Sequence, residues 1–550
     1  MSGAIAGPGS ASLNAARRSR ELAEVAACGQ ADLLVVGGGV TGAGVALDAA
    51  ARGLSVVLAE RDDLASGTSR WSSKLVHGGL RYLARGEIGI AYESAAERGL
   101  IMGRIAPHLT RPLPMVYPWV PGTGRGSRAL TGVGLAAADV LRLAAGTRRR
   151  TLPGPRRLTV AETMAAVPAL RRDVTGGLLS WDGQLTDDAR LVVAIARTAA
   201  SHGAVILTRC AASDLTGRGA LLTDRLTGES FPLRAGAVVN AAGVWAGQLA
   251  EGVSLRPSRG THLVLSDAAF GGLRAGLIAA VPGQRNRYVF ALPVPGEPRV
   301  YVGLTDEPVD GPMPDVPEPA PGEIAFLLDV VGGLLDARPG PGDVLGAFAG
   351  LRPLLGDAAA TGSTADLSRR HAVLTSPDGV ITVVGGKLTT YRRMAQDAVD
   401  AALAGRAAPS RTAPGRTASA PSRAASGRTG PARTARGRTA PCRTRRLPLV
   451  GAASPSVLAR VPAPARLVAR YGTEAPDVLA LAGQDPWLAA PVADGLPVTG
   501  AELAFAVAHE GALDVGDLLD RRTRIGLVPG DRGRALAAAT RVLDALPTRT

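Results

Sequence analysis

Along the first sixty residues the apolar positions change period twice, which predicts a strand, a helix and a second strand. Residues 33–36 (LLVV) are an unbroken apolar run, the pattern of a strand buried on both faces. Residues 43–52 are Ala-rich and helical in character, Gly53 ends that helix, and residues 54–59 form a second apolar run closed by Glu60. Between the first strand and the helix stand Gly37, Gly39 and Gly42 in the spacing G-x-G-x-x-G. In a strand–turn–helix setting this spacing lets the backbone approach a pyrophosphate and turns the helix N-terminus toward it. Glu60, eighteen residues after Gly42, is placed to accept hydrogen bonds from an adenosine ribose. An acid there disfavours NADP and leaves NAD and FAD both open.

The alternation continues downstream. Residues 88–105 are helical in pattern. Residues 111–120 (RPLPMVYPWV) are extended but punctuated by prolines, which predicts a strand that cannot be central in a sheet. Residues 127–146 form a helix with Leu130, Val133, Ala137, Leu141 and Ala144 on one face; Arg125, Arg128, Arg142 and Arg148 to Arg150 surround it. Such a helix either lies in a lipid headgroup layer or covers its own domain. A capped helix is expected at 159–170. Residues 177–191 read as strand, turn and helix capped near Thr186 or Asp187, with the three acids there serving capping and solvation. Strands follow at 205–210, up to 233, and at 237–240, the last running into NAAGVWA. Residues 288–308 predict a hairpin turned at Pro295-Gly296, and residues 379–393 a strand, a glycine turn and a helix. This is an α/β pattern.

Residues 404–446 break it. They repeat Arg, Thr, Pro, Ser and Gly with too little apolar surface to offset ordering entropy, which predicts a disordered linker. Residues 447–550 return to helical patterns as a further unit. Residues 1–30 show no apolar run after RRSR, so they predict a disordered leader rather than a signal peptide. No run of about eighteen apolar residues predicts a membrane span. The net charge of +15 suggests nucleic acid until its distribution is considered. Eleven arginines and no acid fall between Arg406 and Arg446, leaving +4 elsewhere, and aromatics make up only 3%. That balance argues against a nucleic-acid surface. Cys28, Cys210 and Cys442 are too far apart for a disulfide framework or a metal site, and fit a reducing compartment. Lysine occurs only at Lys74 and Lys387.

Residues 60–83 (ERDDLASGTSRWSSKLVHGGLRYL) resemble the FAD-dependent glycerol-3-phosphate dehydrogenase family almost residue for residue, and GGKLTTYR at 385–392 resembles it as closely. The segments AELAFAVAHE and LLDRRTRIGL resemble the family's C-terminal domain. The resemblance covers residues 30–403 and 442–546; the long linker departs from it. It implies a Rossmann-like FAD-binding domain (about 31–120, 175–258 and 345–403) interleaved with an antiparallel-sheet substrate domain of the amino-acid-oxidase kind (about 121–174 and 259–344), followed by a C-terminal all-α domain. It implies that Thr68, Ser69, Ser73, Lys74, Ala242, Gly243, Gly386, Leu388 and Thr389 join Gly37, Gly39, Gly42 and Glu60 in holding FAD. It further implies oxidation of sn-glycerol 3-phosphate to dihydroxyacetone phosphate, a quinone acceptor, and a cytoplasmic protein bound peripherally to the inner face of the cell membrane. A homodimer is compatible with it.

Oxidising a phosphorylated secondary alcohol requires cations for the phosphate, a base for the hydroxyl proton, and a carbon held for hydride transfer. Arginine suits the first task and histidine the second. By the resemblance, Arg81, Tyr82, His262, Arg352, Arg369 and Lys387 form the substrate pocket, and His77, Arg352 and Lys387 the catalytic set. The base is His77 or His262. Alternatives are an oxygen-using oxidase, another flavin-dependent oxidase, or a non-catalytic flavoprotein on membranes.

Overall fold

The computed structural model of the chain describes residues 10–83, 86–284, 287–356, 370–407, 440–483 and 485–546. Among these residues the strands form two sheets. The first is built on Gln30–Val36, which pairs in parallel with Val56–Ala59 on one side and Ser230–Asn240 on the other. Val205–Leu207 and Ile381–Val384 extend it, also in parallel, and Ala372–Thr375 closes one edge. Helices Val40–Ala51, Asp188–Ser201 and Tyr391–Ala407 cover one face, where Val45, Ile195 and Ala398 meet Val35 and Leu58. An antiparallel meander of Cys210–Thr216, Gly219–Asp224 and the start of Ser230–Asn240 helps cover the other. Burial on both faces is why residues 33–36 contain no polar side chain.

The second sheet is mostly antiparallel. Its strands run in the order Glu307–Pro308, Ser258–Ser266, Arg299–Gly303, Tyr288–Pro293, Gly276–Ala280, Thr110–Pro118, Gly177–Leu185 and Leu75–Val76. Val344–Arg352 pairs antiparallel with Ser258–Ser266 from Ser258 to Leu265. Helix Pro321–Gly332 lays Leu327 and Val331 against Leu263, Val300 and Val302. The hairpin expected at 288–308 is present, with Gly296 in the left-handed region of its turn.

Several expectations need correction. Thr110–Pro118 is interior to the sheet, between Gly276–Ala280 and Gly177–Leu185. Its prolines all occupy even positions, so the missing N–H groups face one side; there Gly276–Ala280 pairs with it over only two residues. Thr110–Pro118, Gly177–Leu185 and Val344–Arg352 belong to the second sheet. The expected leader holds the helix Ala15–Cys28, capped by Asn14 and fixed by a buried Arg18–Asp224 ion pair. The expected linker shrinks from both ends. Helix Tyr391–Ala407 runs into it, and Thr444 is buried, accepting from Arg392 Nη1 and donating to Asp48; residues 408–439 lie outside the described residues.

The C-terminal helices Ala465–Tyr471, Ala475–Ala482, Gly500–His509 and Pro529–Ala545 share a core of Leu503, Phe505, Leu519 and Val542. They dock through buried ion pairs such as Arg190–Glu510, with contacts of 2.8 and 2.9 Å. Among the described residues no helix is long and apolar enough to cross a membrane.

Candidate active site

A cavity of about 1590 Å³ runs between the two sheets from Glu60 to His77. At one end the glycine-rich turn leaves strand Gln30–Val36. Gly37 has φ +108°, and a methyl there would meet the Ala241 carbonyl at 2.7 Å. Gly42 rests against Gly37 itself, leaving no room for a side chain. The following helix, Val40–Ala51, has no acid in its first turn, and Ser69 Oγ accepts from the Val40 N–H at 2.9 Å. Gly37, Gly39 and Thr41 line the cavity at this helix start, so its positive end is available to an anion.

Glu60 ends the second strand inside the cavity, accepting from the N–H groups of Gly38 (2.5 Å) and Asp62 (2.8 Å). Burial pushes its carboxyl up, against those two bonds. Asn240 braces the neighbouring turn: its amide donates to Ala246 O at 2.9 Å and accepts from Ala242 N–H at 3.2 Å. Ala242, Gly243, Gly386, Leu388, Thr389, Thr68, Ser69 and Ser73 all line the same cavity. A cradle that a Cβ would fill, an open helix N-terminus and a ribose-ready carboxylate together fit a dinucleotide such as FAD.

Lys74 departs from this set. Its backbone is left-handed (φ +54°), which turns the side chain away from the cavity toward Asp188, 3.3 Å distant, and over the Phe348 ring at 4.3 Å. Burial lowers its pKa to about 8. Lys74 is not among the residues lining the cavity.

The other end gathers the charged residues. His77 lines the cavity and its Nδ1 lies 3.0 Å from Asp182 Oδ2. Arg98 Nη1 donates to Asp182 Oδ1 at 2.7 Å. Lys387 Nζ donates to Ser94 Oγ at 2.7 Å and sits over the Tyr82 ring. Arg352 donates to Ser258 Oγ and to Thr305 O, both at 3.0 Å, beside Asp306. Three glycines make room for these groups. A methyl at Gly78 would overlap the Arg98 guanidinium, one at Gly260 that of Arg352, and one at Gly303 the His262 ring.

His262 is engaged differently from His77. It is buried, stacks on Phe348 at 4.8 Å, and its Nε2 lies 2.8 Å from Ser73 Oγ. Burial, then Lys74 and Arg352, hold its pKa well below the ordinary value. Arg81 lies on the short helix Leu80–Leu83, and Arg369 falls outside the described residues.

Asp182, Arg98 and Ser94 are the site residues that sequence reasoning passed over. The acid was assigned to capping and solvation, and the other two to an ordinary helix. Asp187 does cap helix Asp188–Ser201, but Asp188 is fully buried against Ser72 and Lys74. Among the described residues no group of three or more His, Cys, Asp or Glu side chains is arranged to hold a metal ion.

Comparison with known proteins agrees with this geometry. The family model of FAD dependent oxidoreductases matches residues 32–392, and that of the C-terminal domain of alpha-glycerophosphate oxidase matches residues 442–548. The chain is 53% identical over 544 residues to glycerol-3-phosphate dehydrogenase 1 of Mycobacterium bovis, covering 98% of this chain and 99% of the relative. It is 34% identical to a mitochondrial glycerol-3-phosphate dehydrogenase of Arabidopsis thaliana, covering 96% and 85%. Among solved structures, the glycerol-3-phosphate dehydrogenase of Bacillus halodurans complexed with FAD superposes with a TM-score of 0.71 at 26% identity, covering 97% of this chain and 94% of that one. The chain belongs to the FAD-dependent glycerol-3-phosphate dehydrogenase family.

Proposed function

We propose that this chain oxidises sn-glycerol 3-phosphate at C2 to dihydroxyacetone phosphate, with FAD as resident cofactor, and passes the electrons to a membrane quinone. The observation that carries the reading is the meeting of a nucleotide-fitting glycine cradle with His77, Arg98, Arg352 and Lys387 in one cavity. The relatives' names supply the substrate, and the FAD of the Bacillus halodurans protein supplies the cofactor.

Gly37, Gly39 and Gly42 with the helix start would hold the pyrophosphate, and Glu60 the ribose; Thr68, Ser69, Ser73, Ala242, Gly243, Gly386, Leu388 and Thr389 would border the remainder. Bound FAD supplies the two-electron acceptor for the hydrogen on C2. The protein does the rest. Arg352 and Lys387 bind the phosphate, the guanidinium through paired N–H groups. Because Ser258 and Thr305 already fix Arg352, little side-chain ordering remains to be done when substrate arrives. Tyr82 borders the same cavity, and Arg81 is its neighbour in the chain and a substrate contact only by the resemblance. His77 Nε2 takes the C2 hydroxyl proton as the alcohol becomes a carbonyl, a task suited to imidazole near neutral pH.

Helix Arg125–Ala144 favours the quinone and the membrane. Its exposed face carries Leu130, Val133, Ala137, Val140, Leu143 and Ala144, with Leu130, Val133 and Val140 at 73%, 68% and 66% exposure, and Leu130, Val133 and Ala137 also border the cavity. Leu141, expected on this face, instead turns inward to the cluster of Tyr82 and Ile90. Arg148, Arg149 and Arg150 stand exposed at the helix end. An apolar stripe with a basic rim suits a headgroup layer. Thr131, Gly134 and Ala138 of the same helix border the cavity, which gives an apolar acceptor a route from that layer.

Anaerobic titration of the purified protein with sn-glycerol 3-phosphate tests the first part. The flavin band is expected to bleach at stoichiometric substrate while glycerol leaves it unchanged; a protein that stays oxidised overturns the reading. Slow reoxidation in air and fast reoxidation by a quinone is the expected second result, and the reverse order would make the chain an oxidase.

A further inference from the structure

The antiparallel register that pairs Val76 with Gly183 brings the next residues of each strand, His77 and Asp182, side by side. Asp182 is held more firmly than a surface acid. Its Oδ1 accepts from Arg98 Nη1 at 2.7 Å, Gly183 N–H at 3.1 Å and Gly78 N–H at 3.2 Å. Its Oδ2 faces His77 Nδ1 at 3.0 Å. The Arg98 side chain is only 7% exposed, and Gly78 supplies the space its guanidinium occupies.

We infer that Asp182 is the positioning residue for His77, fixing its tautomer and ring orientation, and that Arg98 holds Asp182 in place for that role. This deepens the reading of His77 as base and rests on it. Burial alone would raise the Asp182 carboxyl, but Arg98 and the His77 bond outweigh burial and hold it below the ordinary carboxylate value. An ionised carboxylate only accepts, so the hydrogen between the two groups belongs to Nδ1. Nε2 is left with the lone pair, the atom that can take a proton from a bound alcohol. When it does, Asp182 stabilises the resulting imidazolium, and the neighbouring Arg98 keeps the carboxylate from rotating with it.

The test is ring 15N NMR of the holoenzyme labelled at histidine, with His77 assigned by its loss in His77→Gln. The expected wild-type spectrum is that of the Nδ1–H tautomer, and Asp182→Asn is expected to convert it to a mixture or to Nε2–H. In anaerobic stopped-flow, Asp182→Asn is expected to slow flavin reduction roughly a hundredfold or more, with little change in the substrate concentration at half-saturation. Asp182→Glu is expected to recover part of that rate. An Nε2–H tautomer in the wild type overturns the inference without any variant being needed. An unchanged tautomer with an unchanged rate in Asp182→Asn overturns it as well. A wild type with the Nδ1–H tautomer that substrate fails to reduce would sink the proposed reaction and leave the Asp182–His77 pairing standing.

Discussion

Arg522 of the C-terminal domain and Asp63 of the cofactor-binding domain form a bidentate ion pair from which water is almost wholly excluded. Nη1 and Nη2 donate to the two carboxylate oxygens at 2.7 and 2.8 Å, and the side chains are 1% and 0% exposed. Arg521 adds a contact to the same carboxylate at 2.6 Å, and Arg524 donates to the Arg70 carbonyl. Asp63 and Arg70 bracket Thr68 and Ser69, and Ser73 follows shortly after, all three bordering the cavity. The C-terminal domain therefore braces the floor of the candidate FAD site. Arg522→Ala leaves the buried Asp63 carboxylate with Arg521 alone in place of two arginines, and losing these charge-assisted hydrogen bonds is expected to cost about 1.5–3 kcal/mol. The cost would appear as a lowered melting temperature by circular dichroism, with flavin fluorescence released in the same transition. An unchanged melting temperature would mean that the two domains dock independently of this pair.

The space above Gly78 belongs to Arg98. Gly78→Ala is expected to push the guanidinium off Asp182, slowing flavin reduction roughly a hundredfold or more while FAD content stays at the wild-type level. Stopped-flow reduction with a parallel measurement of bound flavin separates the two effects. Loss of the flavin as well as the rate would assign Gly78 to the cofactor cradle instead.

Features that one short segment encodes were legible in the sequence. Gly37, Gly42 and Glu60 lie within one strand–turn–helix–strand, so their spacing is readable from a single segment, although the carbonyl that crowds Gly37 comes from Ala241. Asp182 was not legible, because the partner that gives it meaning is 105 residues earlier and is reached only through the sheet register. Arg522 and Asp63 are 459 residues apart, so nothing local to LLDRRTRIGL, which resembles the family's C-terminal domain, points to the carboxylate it meets. The prolines of Thr110–Pro118 misled for a related reason. Period alone does not reveal that the side lacking N–H groups has almost no partner to miss them. The helix Ala15–Cys28 was missed because Leu22 and Val25 are its only large aliphatic residues among many charges; buried Arg18, Glu21 and Val25 are what fix it to the sheet domain.

At Gly42 a side chain would overlap the Gly37 carbonyl at the tightest point of the nucleotide cradle. Gly42→Ala is expected to spread the turn, at an overpacking cost of about 1–3 kcal/mol, and to yield protein largely free of flavin. Absorbance at the flavin band relative to 280 nm checks this. Recovery of full occupancy on adding FAD at stoichiometric concentration would show that the turn tolerates the methyl.

His108 is expected to take stability away from the fold as the pH drops below neutrality. His108 is buried, and burial followed by the nearby Arg190 charge lowers its pKa from 6.5 to about 3. Between those values the unfolded chain binds a proton that the folded chain refuses. The stabilisation is therefore complete above about pH 6.5 and is lost as the pH falls toward 3. His262, held well below its ordinary value by burial, acts in the same direction. Asp517 opposes them: burial and Asp63 raise its carboxyl, so folding gains a proton there as the pH falls toward 3.8. Glu21, Glu60, Asp187 and Glu297, raised by burial, side with Asp517, while His202 and His509 side with the other two histidines, so the His108 contribution is read from a variant. His108→Gln is expected to make the melting temperature fall less, or rise more, between pH 7 and pH 5 than in the wild type, while lowering stability at pH 7 through lost core contacts. A slope unchanged in the variant would locate the controlling protons elsewhere.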